Sequence, residues 1–147
     1  MDTYIDIIET RFQYLSPFSA HSIEIWGENF PTVEHAYHAA RYILSLERDK
    51  ILCAGSPLEA WRISQALKKK KDILNPNFDK DKIMEELFRA KIEQHPDIVD
   101  ILKETWDTEI LKKYDTDYYW GTWKDGSWQN KMWKLWMKLR DEINKED

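Results

Sequence analysis

The 147-residue chain has one cysteine, Cys53, with only four glycines and five prolines. A lone thiol closes no internal disulfide and cannot build a structural zinc site, so this cysteine usage points to an intracellular protein. So little glycine and proline excludes a fold made of many tight turns or long structureless linkers. No apolar run approaches the length needed to cross a bilayer. The opening MDTYIDIIETRF has no basic stretch followed by an apolar one, so no secretory signal is expected. A cytoplasmic protein is therefore expected. Cations are also in the minority, with 22 Lys and Arg against 27 Asp and Glu and a formal net charge of −5. A general binder of nucleic-acid backbone carries the opposite sign, which leaves local basic patches for a single nucleotide-sized ligand.

What the chain does have is tryptophan: eight residues, five of them between Trp120 and Trp136. An indole buries a large area and needs a partner for its N–H, so such a cluster means a thick core, a stacking site for a flat ligand, or both. Hydrophobic residues make up 42% and charged residues 33%, the balance of a globular protein and not of a disordered one. With no internal repeat and no low-complexity divider, a single domain over 1–147 is expected.

The elements read as mostly helical. Arg11 to Phe30 suggests loops with one or two short strands, from the alternation Ser22-Ile23-Glu24-Ile25-Trp26 before Gly27. Thr32 is an N-cap candidate, and Val33, Tyr37, Ala40 and Leu44 continue at helical spacing. Ser56-Pro57-Leu58-Glu59 reads as a capping box opening a helix to about Lys70, which ends in the run Lys68 to Lys71. After the loop Asn75-Pro76-Asn77, a helix opens near Asp79 with Ile83, Leu87, Ala90 and Ile92 as its buried side. His95-Pro96 ends it, and a short helix follows with Ile98, Ile101 and Leu102 inward. Lys112 to Ser127 reads as loop. A last helix from about Trp128 to Asn144 shows a narrow stripe of Lys131, Lys134 and Lys138, so it is expected to be largely buried. The class is α+β, predominantly α, with a small N-terminal β element.

Chemistry gathers in two places. Glu34 falls in the first turn of its helix, where the positive end of the dipole favours a carboxylate. His38 and Arg41 follow at spacings of four and seven, on the same face, as in a salt-bridge ladder or a braced catalytic carboxylate. In the second place, Asp117-Tyr118-Tyr119-Trp120-Gly121 brings a carboxylate, stacking faces and a close-approach glycine into one loop. That suits a flat heterocycle carrying a sugar, or simple core packing. His35-x-x-His38 is weak as a metal motif in a chain with four histidines, and no metal is expected. No glycine-rich phosphate loop is present, and no cofactor is expected. Cys53, in an apolar helical context, reads as a buried structural residue.

Five segments in order, FPTVEHAYHAARY (30–42), SPLEAW (56–61), IMEELFRAKIEQHP (83–96), DTDYYWG (115–121) and NKMWKLWMKLR (130–140), resemble the NADAR, or YbiA-like, family. Its recurring elements are a (T/S)EH helix start, KFxQHP, DxxWG and NxLGxxLMxxR, and the resemblance runs from about Arg11 to Arg140. It implies an N-glycosidase that cleaves the bond joining ribose to a base or amine. The implied substrates are phosphoribosylamino-pyrimidine intermediates of riboflavin synthesis, or ADP-ribose on guanine. A small nucleotide-like molecule or an ADP-ribosylated nucleic acid is the implied partner, within NAD and ADP-ribose metabolism. The matching positions imply that Glu34 and Asp117 are catalytic and that Trp120, Gly121 and Asn130 contact substrate. Ser16 and Phe18, in the LSxF segment, line the pocket with His38 and Arg41.

The chain departs from the pattern at Arg41, where the family usually has lysine, and at Trp123, Trp128 and Trp133, where it often has glycine. Ser64-Gln65 stands where a GR pair is usual. A nucleophilic lysine cannot be replaced by arginine, whereas an anion-binding one can. A non-catalytic nucleotide-binding module is the alternative these departures leave open.

Overall fold

The structure, a computed structural model, describes residues 4–6, 11–105, 109–111 and 131–146. The described residues fall into two compact units: Pro17–Gln94, and the residues before Pro17 together with those after Gln94. The architecture is α+β and predominantly α. No helix among the described residues is long and apolar enough to cross a membrane.

The Pro17–Gln94 unit begins with an antiparallel hairpin, β2 (Ile23–Ile25) and β3 (Glu28–Phe30). The pairing Ile25 with Glu28 leaves Trp26 and Gly27 as a two-residue turn, with φ of 54° and 78°. Positive φ at both central positions is what a tight hairpin of this hand requires. Gly27 meets it at no steric cost. Trp26 does not, and is held by its indole N–H donating to Glu86 Oε1 at 2.9 Å and by an edge contact with Phe30.

Four helices follow: α1 (Val33–Ala39), α2 (Ser45–Leu52), α3 (Pro57–Leu67) and α4 (Lys80–Gln94). Every residue of α1 is buried, because α2, α3, α4 and β3 all pack against it. Helix α1 is shorter than the apolar stripe predicts. The Arg41 and Tyr42 N–H groups bond to the carbonyls three residues back, tightening the last turn. The chain then pairs with 73–75: Ile43 N–H donates to Ile73 O, Asn75 N–H to Arg41 O, and Tyr42 bridges Leu74. Leu44 is consequently exposed and lies just before α2.

Helix α3 starts as the capping signal predicts, with Ser56 Oγ accepting from Glu59 N–H at 3.1 Å. The reciprocal half differs: Glu59 Oε2 takes Gly55 N–H instead of that of Ser56. Asp79 Oδ1 accepts from Asp81 and Lys82 N–H and opens α4. The buried face of α4 is Met84, Leu87, Phe88 and Lys91, about one position round from the predicted stripe. A lysine on that face hid its periodicity from a reading that counted only apolar residues. Cys53, expected inside, is exposed at the C-cap of α2, because α2 buries only Glu47 and Ile51.

The other unit holds β1 (Tyr4–Asp6) paired in parallel with β4 (Glu109–Leu111), a short 3-10 turn at Arg11–Leu15, α5 (Pro96–Thr105) and α6 (Lys131–Glu146). The β1–β4 pair was not foreseen: neither three-residue strand is long enough to show alternation. Pro96 opens α5 as expected, with Ile98 and Leu102 fully buried and Ile101 half-buried. Helix α6 is less buried than its narrow lysine stripe predicts. Met132, Trp136, Leu139 and Arg140 are inside, whereas Leu135 and Met137 are half-buried. The expected start at Trp128 lies outside the described residues.

Trp136 is the anchor of this unit, with 0% exposure and its Nε1–H donating to Leu15 O at 2.9 Å. Trp136→Phe keeps an aromatic ring but leaves that carbonyl unpaired in an apolar setting. The variant should lose about 1–3 kcal/mol of stability in urea unfolding.

Candidate active site

The site is built on the entry to α1. Thr32, in extended backbone, accepts from His35 N–H at 3.2 Å and caps the helix. The next free donor, Glu34 N–H, bonds to Pro17 O at 3.0 Å, so the Pro17 segment closes over the same helix end. Both ring nitrogens of His35 are engaged, Nδ1 with Thr32 Oγ1 at 2.8 Å and Nε2 with Ala54 O at 3.0 Å. His35 is therefore a cap brace with no ring nitrogen left for a metal.

One turn on, His38 Nε2 lies 2.6 Å from Glu34 Oε1. Glu34 is only 8% exposed and His38 3%. An ionised carboxylate only accepts, so the ring donates from Nε2. Its other nitrogen, Nδ1, is buried with no hydrogen-bond partner among the described residues. A short charge-assisted bond of this kind fixes the carboxylate's orientation while leaving its second oxygen for other work.

Arg41 does not extend the Glu34–His38 pair as a ladder, because α1 ends before it. Its Nη2–H donates to Tyr37 OH at 3.0 Å, and its guanidinium lies 5.1 Å from the Tyr37 ring centre and 4.8 Å from that of Phe78. Tyr37 in turn sets its ring edge-on against both His38 and Phe78. Glu34, His38, Tyr37, Arg41 and Phe78 thus form one contiguous array. Phe78 carried no signal in the sequence beyond following the Asn75-Pro76-Asn77 turn.

Phe18 is exposed one residue beyond Pro17, and Ser16 is half-buried in the other unit. Asp117, Trp120, Gly121 and Asn130 lie outside the described residues, as do Trp123 and Trp128. Ser64, at the position of the usual GR pair, is buried: the Tyr42 hydroxyl donates to its carbonyl at 2.7 Å and lies 3.0 Å from its Oγ. Burial pushes the Tyr42 phenol up, against the lowering effects of the Ser64 bond and the Arg41 charge.

Sequence reasoning missed Lys91. It is fully buried, and its Nζ donates to Ser19 Oγ at 2.6 Å, which leaves the hydroxyl proton to face His21 Nδ1 at 2.9 Å. A buried ammonium is tolerated only when hydrogen-bonded. The signal was its place on the α4 face with Leu87 and Phe88, at spacings of four and three.

The likenesses of the chain to known proteins identify it as a hydrolase of N-glycosyl compounds. The chain belongs to the NADAR domain family, which matches residues 5–144. It is 30% identical over 146 residues to N-glycosidase YbiA of Shigella flexneri serotype 5b, covering 97% of this chain and 89% of that protein. A chloroplastic riboflavin biosynthesis protein, PYRR, of Zea mays is 31% identical over 146 residues, covering 90% of this chain and 23% of the maize protein. The NMR structure of E. coli YbiA superposes with a TM-score of 0.83 at 28% identity, covering 99% of this chain and 88% of that one.

Ser19→Ala removes an acceptor from the buried Lys91 ammonium. It should cost about 1–3 kcal/mol in chemical denaturation, a loss well above that of an ordinary surface serine.

Proposed function

We propose that this N-glycosidase hydrolyses the C–N bond between ribose and a base or amine in a small phosphoribosyl or ADP-ribosyl compound. The observation that carries this is the buried Glu34 carboxylate held by His38 at 2.6 Å, in a chain that matches the NADAR family. Breaking the bond at ribose C1′ leaves an oxocarbenium-like centre, as in glycoside hydrolysis. Glu34 stabilises that positive charge and takes the proton of the water that attacks C1′. The bonding pair departs with the nitrogen, which collects a proton from Asp117 or from solvent. His38 keeps the carboxylate aimed while the charge develops.

Trp120 stacks on the leaving heterocycle, with Gly121 giving close approach and Asn130 a hydrogen bond. Ser16, Phe18 and Arg41 complete the substrate contacts. The name of the maize relative favours a substrate like an intermediate of riboflavin synthesis. The net charge of −5 favours a free metabolite over an ADP-ribosylated nucleic acid. The substitution of arginine for the family's usual lysine supports a second reading, a module that binds such a nucleotide without cleaving it.

Wild-type turnover separates the two, and Glu34→Gln tests the carboxylate. Chromatography of base released from a phosphoribosylamino-pyrimidine or from an ADP-ribosyl compound should show wild-type turnover. The variant's kcat should fall about 10²–10⁴-fold, with substrate binding retained. Undiminished turnover in the variant removes Glu34 from the chemistry, and binding without turnover in the wild type establishes the second reading.

A further inference from the structure

We propose that Arg41, held against the paired rings of Tyr37 and Phe78, is a preorganised phosphoryl anchor whose aromatic clamp sets the substrate preference of the site. The proposal deepens the glycosidase reading and rests on it only for which molecule carries the phosphate.

The clamp follows from the backbone. Arg41 lies just past the last turn of α1, and the pairing of 41–43 with 73–75 fixes its main chain. Asn75 ties the two segments twice, through N–H to Arg41 O at 2.7 Å and through Nδ2–H to Ala40 O at 3.3 Å. The same residue organises the turn that brings up Phe78: its Oδ1 accepts from Asn77 N–H and its carbonyl from Phe78 N–H. Phe78 is thereby delivered beside Tyr37, the two ring centres 5.5 Å apart, and the guanidinium rests against both.

A guanidinium lodged over two rings keeps its planar fork in one orientation, and so loses little entropy on meeting an anion. No carboxylate is paired with it among the described residues, and its buried Nε has no hydrogen-bond partner there. Tyr37 OH takes one Nη2 proton, and the other donors of the fork stay available. Burial first, and then the charges of Arg41 and Lys80, push the amine of Lys68 at the C-cap of α3 below its ordinary value. Two cations in an acidic chain, with the rigid one bidentate, suit a phosphoryl group better than a singly charged carboxylate. The reactive end of the array fits this placement. Glu34 lies two helical turns before Arg41, with about 1.5 Å of rise per residue along α1. A ribosyl phosphate is long enough to put its anomeric carbon toward one and its phosphate toward the other.

Titration calorimetry tests the anchor without turnover, using ribose 5-phosphate, ADP-ribose and unphosphorylated ribose on wild type, Arg41→Met and Phe78→Leu, each checked for folding by circular dichroism. Arg41→Met should weaken binding of ribose 5-phosphate or ADP-ribose about tenfold or more, and leave any ribose binding unchanged. Which of the two loses more identifies a monoester or a diphosphate as the group read. Phe78→Leu, which keeps Arg41 but removes its stacking face, should give a smaller loss in the same ligand, appearing in KM and not in kcat during turnover. Wild-type binding of ribose 5-phosphate and ADP-ribose that is absent, or that is undiminished in folded Arg41→Met, overturns the anchor. A Phe78→Leu variant with full affinity overturns the clamp. Because none of these titrations needs catalysis, they can fail while Glu34→Gln still abolishes turnover, and the reverse.

Discussion

The constraint on which the Pro17–Gln94 unit depends is the complete burial of α1. Seven residues are too few for a helix to persist in water, so α1 exists because α2, α3, α4 and β3 enclose it. Three of the seven, Glu34, His35 and His38, are polar and titratable, and each must therefore be answered inside the protein. His35 is answered by Thr32 and Ala54, and Glu34 by His38 and by the Pro17 carbonyl at its own N–H. Leaving a buried polar group without its partner costs about 1–3 kcal/mol. The Glu34–His38 bond thus contributes to folding as well as standing at the centre of the proposed chemistry.

The same enclosure explains the conduct of the segments around it. Thr32 caps α1 and also holds His35, so one hydroxyl serves helix entry and ring orientation together. Pro17 covers the Glu34 N–H, and two residues further Ser19 receives the ammonium of Lys91 from α4. The loop before the hairpin is consequently tied at two points to elements far from it in sequence. A carboxylate intended to meet a developing positive charge gains from such fixity, since a group already in place needs no reorganisation when the charge appears.

What the sequence disclosed and what it hid follow from the period and range of each signal. Helix starts were legible because caps are local: Thr32, Ser56 and Asp79 each bond within three residues. The class of the fold was legible from periodicity, and the place of Glu34 in a first turn from the cap before it. β2 was legible because the alternation from Ser22 to Trp26 overruns its three residues, whereas β1 and β4 are equally short, carry no such longer pattern and pair across most of the chain. The buried face of α4 was misplaced because Lys91 occupies it, and a charged residue on a core face is explained only by a partner seventy-two residues away. Phe78 was invisible in the same sense: its meaning lies in the guanidinium it covers. The tryptophan cluster divides likewise. Trp136 is core, while Trp120, Trp123 and Trp128 lie outside the described residues.

Arginine at position 41 narrows the proposed chemistry further than the family likeness alone. A guanidinium stays protonated in proteins and supplies no nucleophilic amine. Lys91, the fully buried lysine, is hydrogen-bonded to Ser19 and has no exposed approach for a substrate. Lys68 is lowered by burial and by the charges of Arg41 and Lys80, which groups it with the cations of the proposed anchor. In the proposed reaction the group that attacks C1′ is water, activated by Glu34. Arginine is then no defect in a lysine's place. It exchanges a movable point charge for a planar, stacked one, and the neighbouring Tyr37 and Phe78 are the residues that make the exchange worthwhile.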